Sequence, residues 1–292
     1  NSAFKGVPAG EIFGAIFKQA NTIQDGLISV IPNIVGSGFF FFFYIGDGLA
    51  DYSCGWNASG SVNLAEKEVT PKKLKVNIEI CKESFRSRWS AAQMGFSAWN
   101  KEIPADEKEA ILLELGNSIS AKIDSYIWTG VAATNGQFGG LIPQFVADAT
   151  VIDVTIAAVT KANVVAQLDL AFDSVPDSVE DDEDLVISVS KNVAKAYKRA
   201  QASMGTNTTV GDKELDYLGV RMESLSGLPA NTIAIYRVKN LGFVTGLQSD
   251  MNDIKIIDSD ATTGDGQIRT KAVFSAGVGY SFGSEIVYAR PA

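Results

Sequence analysis

Five consecutive phenylalanines, Phe39 to Phe43, followed by Tyr44 and Ile45, place the strongest constraint on the fold. Neighbouring residues of a strand point to opposite faces, so this run is apolar on both and needs cover on both. A hairpin-sized segment has no second layer of its own. Two readings fit: a central strand buried in the chain's own core, or an apolar strap lying on a neighbouring subunit. The surrounding stretch, residues 26–46, carries no charge and is long enough to imitate a membrane span. Pro32-Asn33 and Gly36-Ser37-Gly38 break a helix there twice and leave backbone groups that lipid cannot satisfy, so an arm is expected and not a span. The sequence begins Asn1-Ser2-Ala3, with neither an initiator Met nor a signal pattern, which fits processing or missing first residues.

Two other segments alternate cleanly. In residues 73–81, Leu74, Val76, Ile78 and Ile80 share one face, as in a half-buried antiparallel strand. Thr70-Pro71-Lys72 reads as a turn and residues 61–69 as the returning partner, so residues 56–80 are predicted to form a long hairpin. In residues 272–282, Phe274, Ala276, Val278, Tyr280 and Phe282 face one way. Ser275, Gly277, Gly279 and Ser281 leave the other face small enough for close approach, and residues 286–288 are expected to extend the strand.

A long helix is predicted over 106–128. Asp106 is its N-cap, Glu107 and Glu109 lie near the positive end of its dipole, and Leu112, Leu115, Ile119, Ile123 and Tyr126 form one stripe through Trp128 before Gly130 stops it. Residues 151–267 read as a compact α/β piece. Its elements are a helix at 161–175, a strand at 184–189, a helix at 191–203 capped by Ser190, and strands at 216–223, 232–238 and 253–257.

The chemistry is bounded by a count of zero: the chain has no histidine. Ser-His-Asp and Cys-His nucleophiles, imidazole metal sites and histidine bases are therefore excluded. Cys54 and Cys81 are too few for a zinc cluster and read as ordinary thiols, free in a reducing compartment. The acids Asp177, Glu180, Asp181, Asp182, Glu183 and Asp184 crowd into eight residues and read as a solvated loop, because a general acid needs a carboxyl buried alone. Asp258-Ser259-Asp260 opens like a calcium loop but fails at Thr262, Thr263 and Arg269, and no glycine motif has a dinucleotide or Walker pattern. No catalytic, metal or cofactor site is predicted.

Charge is more informative. The chain is −9 overall, with −3 on residues 1–150 and −6 on 151–292, which opposes a nucleic-acid clamp. Within residues 64–90 the sign reverses: Lys67, Lys72, Lys73, Lys75, Lys82, Arg86 and Arg88 outnumber four acids. A basic hairpin on an acidic body suits self-association; a solvated strand edge guarded by lysines would read the same way.

The order of elements resembles the major capsid proteins of tailed bacteriophages, the Hong Kong ninety-seven fold shared with encapsulins. Residues 70–82, Thr-Pro-Lys-Lys-Leu-Lys-Val-Asn-Ile-Glu-Ile-Cys-Lys, resemble the strand leaving that family's extended loop, especially in phages of Bacteroidetes-type hosts. Ile123-Asp124-Ser125-Tyr126-Ile127-Trp128-Thr129-Gly130 with Gly139-Gly140-Leu141-Ile142-Pro143 is similar to the end of the spine helix and its Gly-rich turn. Leu218-Gly219-Val220-Arg221-Met222 and Leu228-Pro229-Ala230-Asn231-Thr232-Ile233 are similar to axial-domain strands. A scaffolding segment and an anchored crosslinking motif, found in some members, are not seen.

The resemblance implies an α+β capsid fold. It divides into an N-terminal arm (1–55), an extended hairpin loop (56–80), a peripheral domain with the spine helix (81–150 and 268–292) and an axial domain (151–267). It implies a major capsid protein, not an enzyme and without cofactor, that self-assembles through hexamers and pentamers into an icosahedral shell around double-stranded DNA. Portal and auxiliary capsid proteins would be its partners, with no membrane, in a virion assembled in the host cytoplasm. Intersubunit contacts are expected at Phe39, Phe41, Phe43, Lys67, Lys72, Lys73, Leu74, Val76 and Ile78. The alternatives are an encapsulin-like compartment and a carboxylate-based hydrolase.

Overall fold

The structure, a computed structural model, describes residues 21–34, 36–45, 62–81, 105–204, 215–246, 255–259, 264 and 266–292. Its organising element is strand β12 (Gln267–Tyr280). The even positions Ile268, Thr270, Ala272, Phe274, Ala276, Val278 and Tyr280 are buried, while Arg269, Lys271 and Val273 are exposed, so the period of two becomes a core face and an outer face. β4 (Lys72–Cys81) runs antiparallel along one flank of β12. The other flank takes β10 (Leu241–Thr245) and β11 (Lys255–Asp258), both antiparallel, and β1 (Ser29–Ile31) adds to β10 in parallel. On the small outer face the backbone of Pro71 comes so near Gly277 that a Cβ there would lie 3.0 Å from Pro71 Cα, which is the close approach expected of this face.

The predicted hairpin at 56–80 is not formed. β3 (Val62–Val69) pairs instead with β2 (Gly38–Ile45), the phenylalanine strand, and β4 pairs with β12. Register explains the exchange. A hairpin closed at Thr70-Pro71 would set Leu74 against Lys67, whereas β12 sets Leu74 against Phe274 and Val76 against Ala272. Two strands with the same half-buried period fit each other better than either fits β3.

The second sheet has the order β5 (Ile152–Thr155), β13 (Val287–Arg290), β9 (Ile233–Arg237), β6 (Leu185–Ser190), β8 (Val220–Leu225), β7 (Leu215–Tyr217). Every residue of β6 is buried. A core of its own joins this sheet to Val164, Leu168 and Phe172 of the helix Val164–Phe172 and to Val193 and Tyr197 of the helix Lys191–Met204. Leu218 and Gly219 have φ of 51° and 82°, the two left-handed positions of a type I′ turn closing β7 onto β8.

The pairing departs from the expected division at two places. β10 and β11 belong to the first sheet although they lie within 151–267. The C-terminal alternation does not continue as one strand either: a 3-10 turn, Gly283–Glu285, carries the chain across to the second sheet as β13. The apolar period survives such a crossing, so it could not reveal it.

The long helix, Ala105–Thr129, is 25 residues and about 37 Å long. Ile119, Ile123, Ile127 and Trp128 are buried in the first core. Its end explains the glycines of the following turn. Gly140 N–H donates to Gly130 O at 2.8 Å, and a Cβ on Gly140 would lie 2.5 Å from Gly130 N and 2.7 Å from Trp128 O. A Cβ on Gly139 would meet only the Ala132 methyl at 3.6 Å, an ordinary contact. Gly140→Ala should therefore destabilise by about 1–3 kcal/mol or more while Gly139→Ala costs under about 0.5 kcal/mol, read from denaturant midpoints of the two variants.

Candidate assembly surface

β2 and β3 pair over eight residues, from Gly38 opposite Val69 to Ile45 opposite Val62, and form a two-stranded sheet of their own. At 3.4 Å per residue the ribbon is about 25 Å long. The register places positions 39, 41 and 43 on one face with Glu66 and Glu68, and positions 40 and 42 on the other with Lys67 and Ala65. The run thus gives β2 phenylalanine positions on both faces, three beside Glu66 and Glu68 and two beside Lys67 and Ala65.

The ribbon is fixed at its base. Val69 is buried, and the Ser37 and Thr70 hydroxyls are 3.2 Å apart. Lys67 Nζ lies 3.3 Å above the centre of the Tyr280 ring and donates to Asp148 Oδ2 at 3.2 Å. Tyr280 O–H donates to the same oxygen at 2.7 Å, and Thr150 donates to Oδ1 through its N–H at 3.0 Å and its hydroxyl at 2.7 Å. These donors, the Thr150 hydroxyl first and Tyr280 next, hold the Asp148 carboxyl far below the ordinary carboxylate range. Burial is the first cause pulling Lys67 below the ordinary lysine value, against the attraction of Asp148, and burial pushes the Tyr280 phenol up.

The residues expected at intersubunit contacts divide into three groups. Phe39, Phe41 and Phe43 lie on β2, and their side chains are outside the described residues. Lys67 and Lys72 have partners in their own chain: Lys72 Nζ donates to Ala132 O at 2.8 Å and Thr134 O at 3.1 Å. Lys73 is exposed. The apolar face of β4 corrects the expectation that a neighbour covers it. Leu74 is 8% exposed and belongs to the first core, Val76 packs against that core, and Ile78 is half-buried opposite Thr270. The first core supplies the cover for Leu74 and Val76, so their burial energy belongs to the subunit's own fold.

Sequence reasoning missed Asp148 and Tyr280, because nothing local marks a carboxylate as the seat of a lysine 81 residues away. Cys81 is free and exposed, and Cys54 lies outside the described residues. In the acidic run Asp177, Glu180, Asp181 and Glu183 are exposed, but Asp182 and Asp184 are ion-paired to Arg237 and Lys239 and are not simply solvated. Asp124, 3% exposed, is the buried carboxylate of the long helix. It accepts from Thr22 N–H at 3.0 Å, Thr22 Oγ1 at 2.6 Å and Ser226 Oγ at 3.2 Å, and so pins the arm and the 226–228 turn to the helix. It is a structural anchor that accepts three hydrogen bonds. Among the described residues no three or more Cys, Asp or Glu side chains gather as a metal-binding group, and no helix is long and apolar enough to cross a membrane.

This arrangement of two sheets, long helix and paired ribbon is the α+β fold of the Hong Kong ninety-seven type, and it recurs in solved capsids. The chain is similar to the capsid subunit of an empty GTA particle (TM-score 0.65, 10% identity, 94% of this chain and 90% of that one). It is similar to the capsid of the cyanophage P-SCSP1u (TM-score 0.59, 16% identity, 92% and 88%) and to the virus-like particle of Pyrococcus furiosus (TM-score 0.56, 10% identity, 97% and 98%). No protein-family model matches the sequence. No curated protein matches it. At these identities the likeness defines the fold and carries nothing about the host.

Two outcomes separate the fold from the surface. Leu74→Ala should cost the isolated subunit about 2–5 kcal/mol, measured by chemical denaturation, because it empties a filled core site. Lys67→Met should leave both cores intact but speed amide exchange in β2 and β3. The native Lys67–Asp148 pair should respond to pH asymmetrically. A carboxyl held low keeps its contribution above the ordinary carboxylate value and loses it only as pH falls through the lower native value. A lysine held low loses its charge before an ordinary lysine does as pH rises. Ribbon protection, with the intrinsic base catalysis of exchange divided out, should thus be flat between about pH 5 and 8, fall only below the ordinary carboxylate value, and not fall as Lys67 deprotonates on the alkaline side.

Proposed function

We propose that the chain is the structural subunit of a closed shell, a major capsid protein that assembles with copies of itself into hexamers and pentamers around double-stranded DNA. The observation that carries the reading is the ribbon of β2 and β3, which pairs with no third strand among the described residues. A two-stranded ribbon is marginal alone in water, and this one includes five phenylalanines. Burying three of them, Phe39, Phe41 and Phe43, is worth roughly 5–9 kcal/mol as an upper value, enough to decide an association. A heterologous contact of this kind, ribbon onto the next copy, closes into rings and, with graded curvature, into shells.

The fold supports the reading, since the chain spans nearly the whole length of capsid subunits to which it is similar. The acidic balance suits a container that holds DNA without gripping it. The site is structural and the protein is not an enzyme; its place is the virion, with assembly in the host cytoplasm and with portal and auxiliary capsid proteins as further partners. The peripheral body is the first sheet with the long helix, and the axial body is the second sheet with its two covering helices.

The test is a triple substitution, Phe39→Ser, Phe41→Ser and Phe43→Ser, compared with the unchanged chain by electron microscopy and light scattering. The variant should stay folded and soluble and form no closed shells. Shells formed as readily as by the unchanged chain would remove the ribbon from assembly. Nucleic acid in purified native particles supports the virion, and protein cargo in its place would favour a compartment.

A further inference from the structure

The chain passes directly between its two sheets at two places. It leaves the second sheet at the end of β9, makes the 3-10 turn Val238–Asn240 and enters the first sheet as β10. It leaves the first sheet at the end of β12, makes the turn Gly283–Glu285 and returns as β13. These crossings lie side by side and are tied together by side chains. Asn240, 3% exposed, donates from Nδ2 to Phe282 O at 2.8 Å, and its Oδ1 accepts from Ser281 N–H at 3.1 Å and Phe282 N–H at 2.7 Å. Arg237 donates from Nε to Glu285 Oε2 at 3.1 Å, with a second bond from Nη2 to the same oxygen, and from Nη1 to Asp182 Oδ2 at 3.1 Å.

The acidic run completes the junction. Asp184 N–H donates to Asp182 Oδ1 at 3.1 Å, which orients that carboxylate, and Val238 N–H donates to Asp184 O at 3.0 Å. Lys239 pairs with the Asp184 carboxylate on the solvent side. One guanidinium therefore binds the outgoing crossing, the returning crossing and the segment leading into β6. Arg237, Asp182 and Glu285 are each only a fifth to a third exposed, so salt screens them less than a surface pair. Lysine could not replace the arginine, because only the planar fork reaches both carboxylates at once.

We propose that this junction is the hinge clamp that fixes the angle between the two sheets and so limits the curvature that a subunit accepts in a shell. The link to curvature rests on the shell reading; the clamp does not. Rings of five and six place one subunit in two local curvatures, and an angle held by a forked ion pair with an amide staple permits few settings. Two of the six carboxylates in the acidic run thus hold the hinge, and the exposed ones around them stay solvated. The Asp182 carboxyl is held low first by the Asp184 N–H and then by Arg237, and Lys239 is held high by Asp184. The clamp is therefore insensitive to pH through the neutral range.

The test uses the full chain and the substitutions Arg237→Met, Arg237→Lys and Glu285→Gln. Amide exchange at 238–240 and 281–286 should rise about tenfold or more in Arg237→Met, with β6 and β12 unchanged, and by less in Arg237→Lys. Shells of Arg237→Met should show a broader spread of diameters than native shells. Unchanged exchange at the crossings would overturn the clamp, and faster exchange with unchanged diameters would overturn its tie to curvature. If Arg237→Met fails to fold, Glu285→Gln, which keeps the Asp182 contact, gives the same two readouts. A native chain that forms no shells, with faster exchange in the variants, would sink the shell reading and leave the clamp standing.

Discussion

The structure depends on the ladder that β12 makes with β4. The fourteen residues of β12, buried at every even position from Ile268 to Tyr280, give one strand enough length to accept β4 along one flank and both β10 and β11 along the other. Its core face, from Ile268 to Tyr280, shares the first core with Ile119, Ile123, Ile127 and Trp128 of the long helix. β4 is taken into this sheet by β12, and the chain before it pairs with the phenylalanine strand and not with β4. The phenylalanine strand and β3 are left to pair with each other and project as a ribbon. Among the described residues the base of that ribbon is secured by Lys67, held between the Asp148 carboxylate and the Tyr280 ring, and Tyr280 is the last residue of β12.

The division of labour follows from where each apolar face finds its cover. Leu74 and Val76 find it within the subunit, in the first core. β6 finds it between two neighbouring strands and the helices over them, in the second core. The ribbon pairs with no third strand among the described residues, and on the proposed reading a neighbouring copy covers it. The two crossings, joined by Arg237 and Asn240, tie the two sheets to each other.

Much of the fold was legible in the sequence because it rests on local periodicity. The helix 106–128 appears as Ala105–Thr129, the strand 184–189 as Leu185–Ser190, and the helix 191–203 as Lys191–Met204. The small outer face of β12 pointed to the close approach that Pro71 makes. Partner choice was not legible. Period two identifies a strand without naming its neighbour, so Leu74 suited a hairpin with β3 as well as it suited Phe274 until register was known. For the same reason residues 286–288 read as a continuation of β12, when Gly283–Glu285 turns them into another sheet. At the candidate site Phe39, Phe41 and Phe43 were expected contacts whose side chains lie outside the described residues, while Leu74 and Val76 belong to the first core. Its ionic base was hidden, because Lys67, Asp148 and Tyr280 are joined only by tertiary structure.

The central claim is that a neighbouring copy supplies what the ribbon lacks, and particle mass measures it most directly. Multi-angle light scattering with cryo-electron microscopy on the unmodified full-length chain, over a range of salt and protein concentration, should find closed shells in which each ribbon lies on another subunit. A homogeneous species of 31.1 kDa at every concentration, with no ring or shell in any image, would contradict the account.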